Sequence, residues 1–98
     1  MIPTSRILKK MLKLKTTHRF DKDLIKAIKS GKDLEKIQVI INQLVKQCPL
    51  DRKHNDHKLK GGLKDRRECH IEPDWLLIYK IENGTIIFER TGSHSELF

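Results

Sequence analysis

Five histidines stand in this chain, at positions 18, 54, 57, 70 and 94. An imidazole titrates near neutrality, so two of them can act as base and acid in one cycle. Placement decides whether they meet. His70 ends a period-two run just before Glu72-Pro73-Asp74, and Trp75 opens the next such run. In a meander the end of one strand lies beside the start of the next, which makes His70, Asp74 and Trp75 neighbours. A two-residue turn at Asn83-Gly84 then sets Trp75 opposite Gly92 and Tyr79 opposite Phe88. That register brings Arg90 and His94 to the end of the sheet that carries His70 and Asp74. A carboxylate beside a histidine fixes its tautomer, and an arginine can hold a phosphate by two donors. RNA supplies its own nucleophile, the 2′-hydroxyl. A base, an acid and a cation therefore suffice for a ribonuclease that needs no metal and leaves a cyclic phosphate. Phe98 offers a face on which a base can stack.

Each of these residues also has a structural reading. His18 suits a helix surface and His54 a solvated loop, and His57, His70 or His94 could be hydrogen-bonded framework histidines. Asp74 fits a turn, Glu68 an edge strand that deters aggregation, and Arg90 a cross-strand partner of Glu68 or Glu89. Phe98 can plug the tail, and Lys58, Lys60 and Lys64 can be ordinary loop charges. His54-x-x-His57 with Cys69, His70 and His94 contains ligand types that zinc accepts. Without a Cys-x-x-Cys pair, and in basic surroundings, neither a metal nor another cofactor is expected. No glycine-rich phosphate loop, nucleophile elbow or His-Glu-x-x-His motif is present.

The elements that must position these groups are legible as periodicity. Leu12 and Leu14 alternate in a short strand. Thr17 caps a helix over 18–30, with Phe20, Leu24, Ala27 and Ile28 on one face and Gly31 as its stop. Asp33 caps a second helix over 34–47, with a seam of Leu34, Ile37, Ile41, Leu44 and Val45 flanked by Ile40, and Pro49 ends it. Residues 48–65 read as a polar loop. Strands follow at 67–71, 75–81 and 85–90, and 91–98 is a tail. Apolar residues on both faces of 75–81 mark a central strand. The order β-α-α-β-β-β predicts an α+β fold, a helical hairpin packed on an antiparallel sheet.

Ninety-eight residues make one domain, expected over 11–98 behind a peripheral basic segment, 1–10. Lysine and arginine number 21 against 13 acidic residues, a net charge of +8. That excess favours a polyanionic partner, nucleic acid first, then a membrane surface or an acidic protein. No apolar run approaches a membrane span and the start lacks a signal-peptide core, so a cytoplasmic protein is expected. Two cysteines make no disulfide framework.

Three blocks occur in order: Asp56-His57-Lys58-Leu59-Lys60-Gly61, then His70-Ile71-Glu72-Pro73-Asp74-Trp75, then Glu89-Arg90-Thr91-Gly92-Ser93-His94-Ser95-Glu96-Leu97-Phe98. Together, over 11–98, they resemble the YafQ-type branch of the RelE/ParE toxin superfamily. The resemblance implies a small α+β RNA interferase that cuts mRNA at the ribosome and is neutralised by an acidic, partly disordered antitoxin. It places catalytic histidines on His57, His70 and His94, an aspartate on Asp74, an arginine on Arg90 and the terminal aromatic on Phe98. Glu68 stands where some members carry aspartate. His94 is read as the acid, with His57 or His70 as base. Lys58, Lys60, Lys64 and Arg67 are read as RNA-binding. Two other readings stay open: a non-catalytic, gyrase-directed member of the superfamily, and a plain nucleic-acid-binding module.

Overall fold

The computed structural model describes residues 10–61 and 65–98. The described chain runs β1 (Lys13–Thr16), α1 (His18–Lys29), α2 (Leu34–Val45), a 3-10 turn (Arg52–His54), β2 (His57–Lys58), β3 (Arg67–Glu72), β4 (Trp75–Glu82), β5 (Thr85–Gly92) and α3 (His94–Leu97). Residues 1–9 of the expected peripheral segment, and Lys64, lie outside the described residues.

Local signals set the helix starts. The Thr17 side chain accepts from the Phe20 amide, and the Asp33 side chain from the Glu35 amide. One face of each helix is then buried. Phe20 and Ala27 of α1 and Ile37, Ile40, Leu44 and Val45 of α2 form one core with Cys69, Ile71, Trp75, Leu77, Tyr79, Ile86 and Phe88 of the sheet. Two details differ from the expected faces. Ile40 is core while Leu34 and Ile28 are exposed. The helices rest on the sheet along a narrower line than their full apolar stripe offers.

The sheet has five strands in the order β1-β5-β4-β3-β2. β4 is indeed central, and Leu76 and Ile78 on its second face are buried too. The antiparallel meander is extended on both sides. β1 pairs parallel with β5, Lys13 opposite Thr85 and Thr16 opposite Phe88. The sheet is therefore mixed, because the helical hairpin carries the chain back across one face before the meander starts. Inside the polar loop, His57 and Lys58 form the outermost strand, with His57 opposite Glu68.

The β4–β5 turn forms as its residues dictate: Asn83 and Gly84 both take positive φ, 50° and 74°. Tyr79 accordingly faces Phe88. Beyond that pair the register slips, with Ile78 opposite Arg90 and Leu76 opposite Gly92. The expected Trp75–Gly92 pair is thus wrong by one residue. Glu89 is the extra residue, a β-bulge. Its carbonyl accepts from the Thr17 hydroxyl and its carboxylate is gripped by Arg66. The tail is also more ordered than a tail. Ser93 and Glu96 form a reciprocal capping box at the start of α3. Gly92 allows it, because a Cβ there would lie 3.1 Å from the Glu96 carboxylate.

Candidate active site

Strand alternation sorts β3 between two faces. Cys69 and Ile71 enter the core beneath the helices, so Glu68 and His70 point from the other face. Glu68 is only 6% exposed, and its Oε1 is buried without a hydrogen-bond partner among the described residues. Two imidazoles flank it. His57 Nε2 is 3.3 Å from Glu68 Oε2, and His70 Nε2 is 3.9 Å from Oε1. The Asn55 carbonyl accepts from His57 Nδ1 at 2.6 Å. A carbonyl can only accept, so Nδ1 carries a proton and Nε2 faces the carboxylate.

His94 reaches the same rim from the first turn of α3. Its ring stands edge-on to that of His70, 5.7 Å between centroids. Asp74 Oδ1 accepts from both the His94 backbone amide, at 3.0 Å, and Nδ1, at 2.8 Å. These bonds, the backbone one first, hold the Asp74 carboxyl below its usual range. With Nδ1 taken, Nε2 is the His94 nitrogen left for proton transfer. The structure therefore brings His57, Glu68, His70, Asp74 and His94 together, each imidazole with a carboxylate neighbour.

Arg90 has a partner that no local pattern announces. Its Nε donates to Asp23 Oδ2 of α1 at 2.7 Å, and the same carboxylate accepts from the Thr91 amide. Neither Glu68 nor Glu89 is that partner. Trp75 is framework: its indole donates to the buried Thr91 hydroxyl, which donates to the Leu76 carbonyl. His54 belongs to the framework as well, since its Nδ1 donates to the His70 carbonyl at 2.7 Å. Lys58 and Lys60 are exposed. Arg67 is tied to Asp56 and Tyr79. Phe98 is 60% exposed. The sequence reading missed Asp23, Asn55, Asp56 and Tyr79 as site supports; only Asp56 carried a signal, its place beside His57.

Of the ligand types that suggested zinc, Cys69 is sealed in the core, where burial pushes its thiol up to about 12. Glu68, His70 and His94 are different. One ligand atom from each lies within 4.8 Å of the others, a grouping that could hold a metal ion.

The cap of α3 makes one testable point. Lys26 first, then the Ser93 amide, lower the Glu96 carboxyl to about 2. A depressed folded value stabilises above the ordinary glutamate range, and that contribution is lost as pH falls toward 2. The Lys26–Glu96 pair is largely exposed, so global stability changes little. The Ser93 and Glu96 amide resonances are expected to lose their capped positions as pH falls through about 2 while core resonances persist. A cap unchanged well below pH 2 contradicts the assignment.

Two helices on one face of a five-stranded mixed sheet, with a rim of imidazoles and carboxylates at the other, define a small α+β protein built around a candidate acid–base site. Residues 12–98 match the model for the bacterial toxin of type II toxin–antitoxin systems, YafQ. The mRNA interferase toxin YafQ of Escherichia coli K12 is 41% identical over 81 residues, 82% of this chain and 88% of the relative. A copper-bound mutant toxin from Helicobacter pylori superposes with a TM-score of 0.87 at 45% identity, over 90% of this chain and all of that one. The toxin in the E. coli DinJ–YafQ complex superposes at 0.83 with 38% identity, over 89% and 98% of the two chains. This chain belongs to the YafQ family of toxins.

Proposed function

We propose that the chain is the toxin of a type II toxin–antitoxin pair, an endoribonuclease that cuts mRNA at the ribosome in the cytoplasm. The observation that carries this reading is the gathering of three imidazoles and two carboxylates on one sheet rim. His70, ring to ring with His94, takes the 2′-hydroxyl proton, and Glu68 beside it stabilises the imidazolium that forms. The 2′-oxygen attacks phosphorus, and the P–O5′ bond breaks. His94 Nε2 protonates the departing 5′-oxygen, with Asp74 holding the ring. His57 shares the Glu68 carboxylate and keeps it oriented. Arg90, braced by Asp23, presents the rest of its donor fork to the phosphate as charge builds. Lys58, Lys60 and Lys64 grip flanking phosphates, with affinity that falls steeply with salt, whereas Arg67, tied to Asp56 and Tyr79, serves the framework. Phe98 stacks a base. An antitoxin is the protein partner, as in the E. coli DinJ–YafQ toxin–antitoxin complex, and an acidic one suits the net charge of +8. No described helix is long and apolar enough to cross a membrane.

The copper-bound relative adds a metal to the picture. In this chain Glu68, His70 and His94 would hold such an ion, and the buried, unpartnered Glu68 oxygen suits a cation. Once bound, it would occupy the lone pairs that proton transfer needs. Cleavage of a defined RNA is therefore expected to continue in EDTA and to leave 2′,3′-cyclic phosphate and 5′-hydroxyl ends. Ends bearing a 5′-phosphate, or arrest by the chelator, would refute this chemistry.

A further inference from the structure

We infer that Tyr79 and Asp56 are positioning residues for His57: a tyrosine of the central strand anchors the loop carboxylate beside the histidine and so holds the imidazole over Glu68. The inference rests on the reading of His57 as part of the RNA-cleaving site.

His57 sits in a strand of only two residues, held to β3 by two register pairs. So short a ladder at a sheet edge is a weak support for a side chain that must hold its place. The missing rigidity comes from beneath. Tyr79 is 1% exposed and packs beside Phe88. Its hydroxyl leaves the core to donate to Asp56 Oδ1 at 2.5 Å. Arg67 Nε lies 3.3 Å from the same carboxylate and from the Tyr79 oxygen, which closes a three-member cluster. Burial first, then Asp56, drives the Tyr79 hydroxyl far above the usual tyrosine range, so it stays a donor at every working pH.

Asp56 and His57 are consecutive, and extended backbone sends their side chains to opposite sides. Asp56 turns to the Tyr79 hydroxyl while His57 turns to Glu68. On the N-terminal side Asn55 adopts φ 44°, in the left-handed region, and its carbonyl accepts from His57 Nδ1. The imidazole is thus captured from three directions: the carboxylate at Nε2, the carbonyl at Nδ1, and the anchored Asp56 through the backbone. Removing the anchor leaves the first two contacts to a loop that can swing. Misplacement by about 1 Å of a residue that orients the reacting groups can cost a hundredfold in rate.

The test compares Tyr79→Phe, Asp56→Ala and Asp56→Asn with the parent toxin and with His57→Ala. Two quantities are read: kcat and KM on a defined RNA, and the imidazole nitrogen shifts of His57. Tyr79→Phe and Asp56→Ala are each expected to lower kcat about tenfold and leave KM within about twofold. Their combination is expected to add little, because the pair acts as one device. Asp56→Asn keeps an acceptor oxygen and is expected to recover most of the rate. The nitrogen shifts of His57 in Tyr79→Phe and Asp56→Ala are expected to move away from the parent values as the ring loses its fixed contacts to the Asn55 carbonyl and the Glu68 carboxylate. Full kcat and unmoved shifts in Asp56→Ala, whose side chain lies outside the core, would overturn the inference whatever becomes of the buried Tyr79→Phe. An active His57→Ala would instead overturn the reading of the site, and the nitrogen shifts would still decide the positioning question.

Discussion

The His94→Gln variant is expected to lose roughly a hundred- to ten-thousand-fold of its RNA-cleaving rate while keeping its fold. Glutamine can still donate to Asp74 through its amide, but it cannot deliver a proton to an alkoxide. The side chain is more than half exposed, so no cavity forms and no buried group loses a partner. The His94 backbone amide still reaches Asp74, which keeps the start of α3 in place. Single-turnover cleavage beside a urea titration separates the two effects. An undiminished rate removes His94 as the acid. A lost rate with a matching loss of stability makes it a framework residue.

The largest stability effect is expected at Phe88→Ala, about 3–5 kcal/mol. Phe88 is fully buried, with Phe20 at 5.8 Å and Tyr79 at 6.1 Å between ring centroids. It is where α1, β4 and β5 meet, and β1 reaches it through the Thr16 pair. A domain of this size has about 5–15 kcal/mol in total, so the loss is a large fraction of it. Denaturant midpoints measure it directly. The contrast is Phe98→Ala, which is expected to leave the midpoint within about 0.5 kcal/mol because that ring lies in solvent. A midpoint for Phe88→Ala within that same margin would mean that the ring cluster does not organise the core.

Much of this architecture is legible in the residues because it is local. Thr17, Asp33, Gly31 and Asn83-Gly84 announce their turns and caps through side-chain and backbone chemistry that neighbours cannot override. The period-two run Trp75–Ile81 marks a central strand because both of its faces are apolar. The departures come from contacts that no window contains. The parallel β1–β5 pairing joins the first strand to the last. The bulge at Glu89 depends on Thr17 and Arg66, far away in sequence, and no glycine advertises it. The Ser93-x-x-Glu96 pattern does encode a capping box, yet a single helical turn leaves no hydrophobic period to draw the eye.

The candidate site divides in the same way. His70, Asp74 and His94 follow from the meander and its hairpin, even with the register wrong by one, because a shift of one residue moves the rim by only a few ångströms. His57 is reached through the Asp-His block and the family it resembles, since periodicity leaves 48–65 as loop. The Asp23–Arg90 pair spans α1 and β5, and charge type alone gives Arg90 many possible mates.

The parallel seam between β1 and β5 has a consequence for biosynthesis. β1 precedes the other described strands in synthesis, and among the described residues the sheet offers it no neighbour other than β5, the last strand translated. At roughly 5–20 residues per second the nascent N-terminal strand waits several seconds for its mate. Sheet closure, and with it the rim of candidate catalytic groups, is therefore a late event in the making of each molecule, and on the proposed function an unfinished polypeptide has no assembled nuclease to turn on the messages around it.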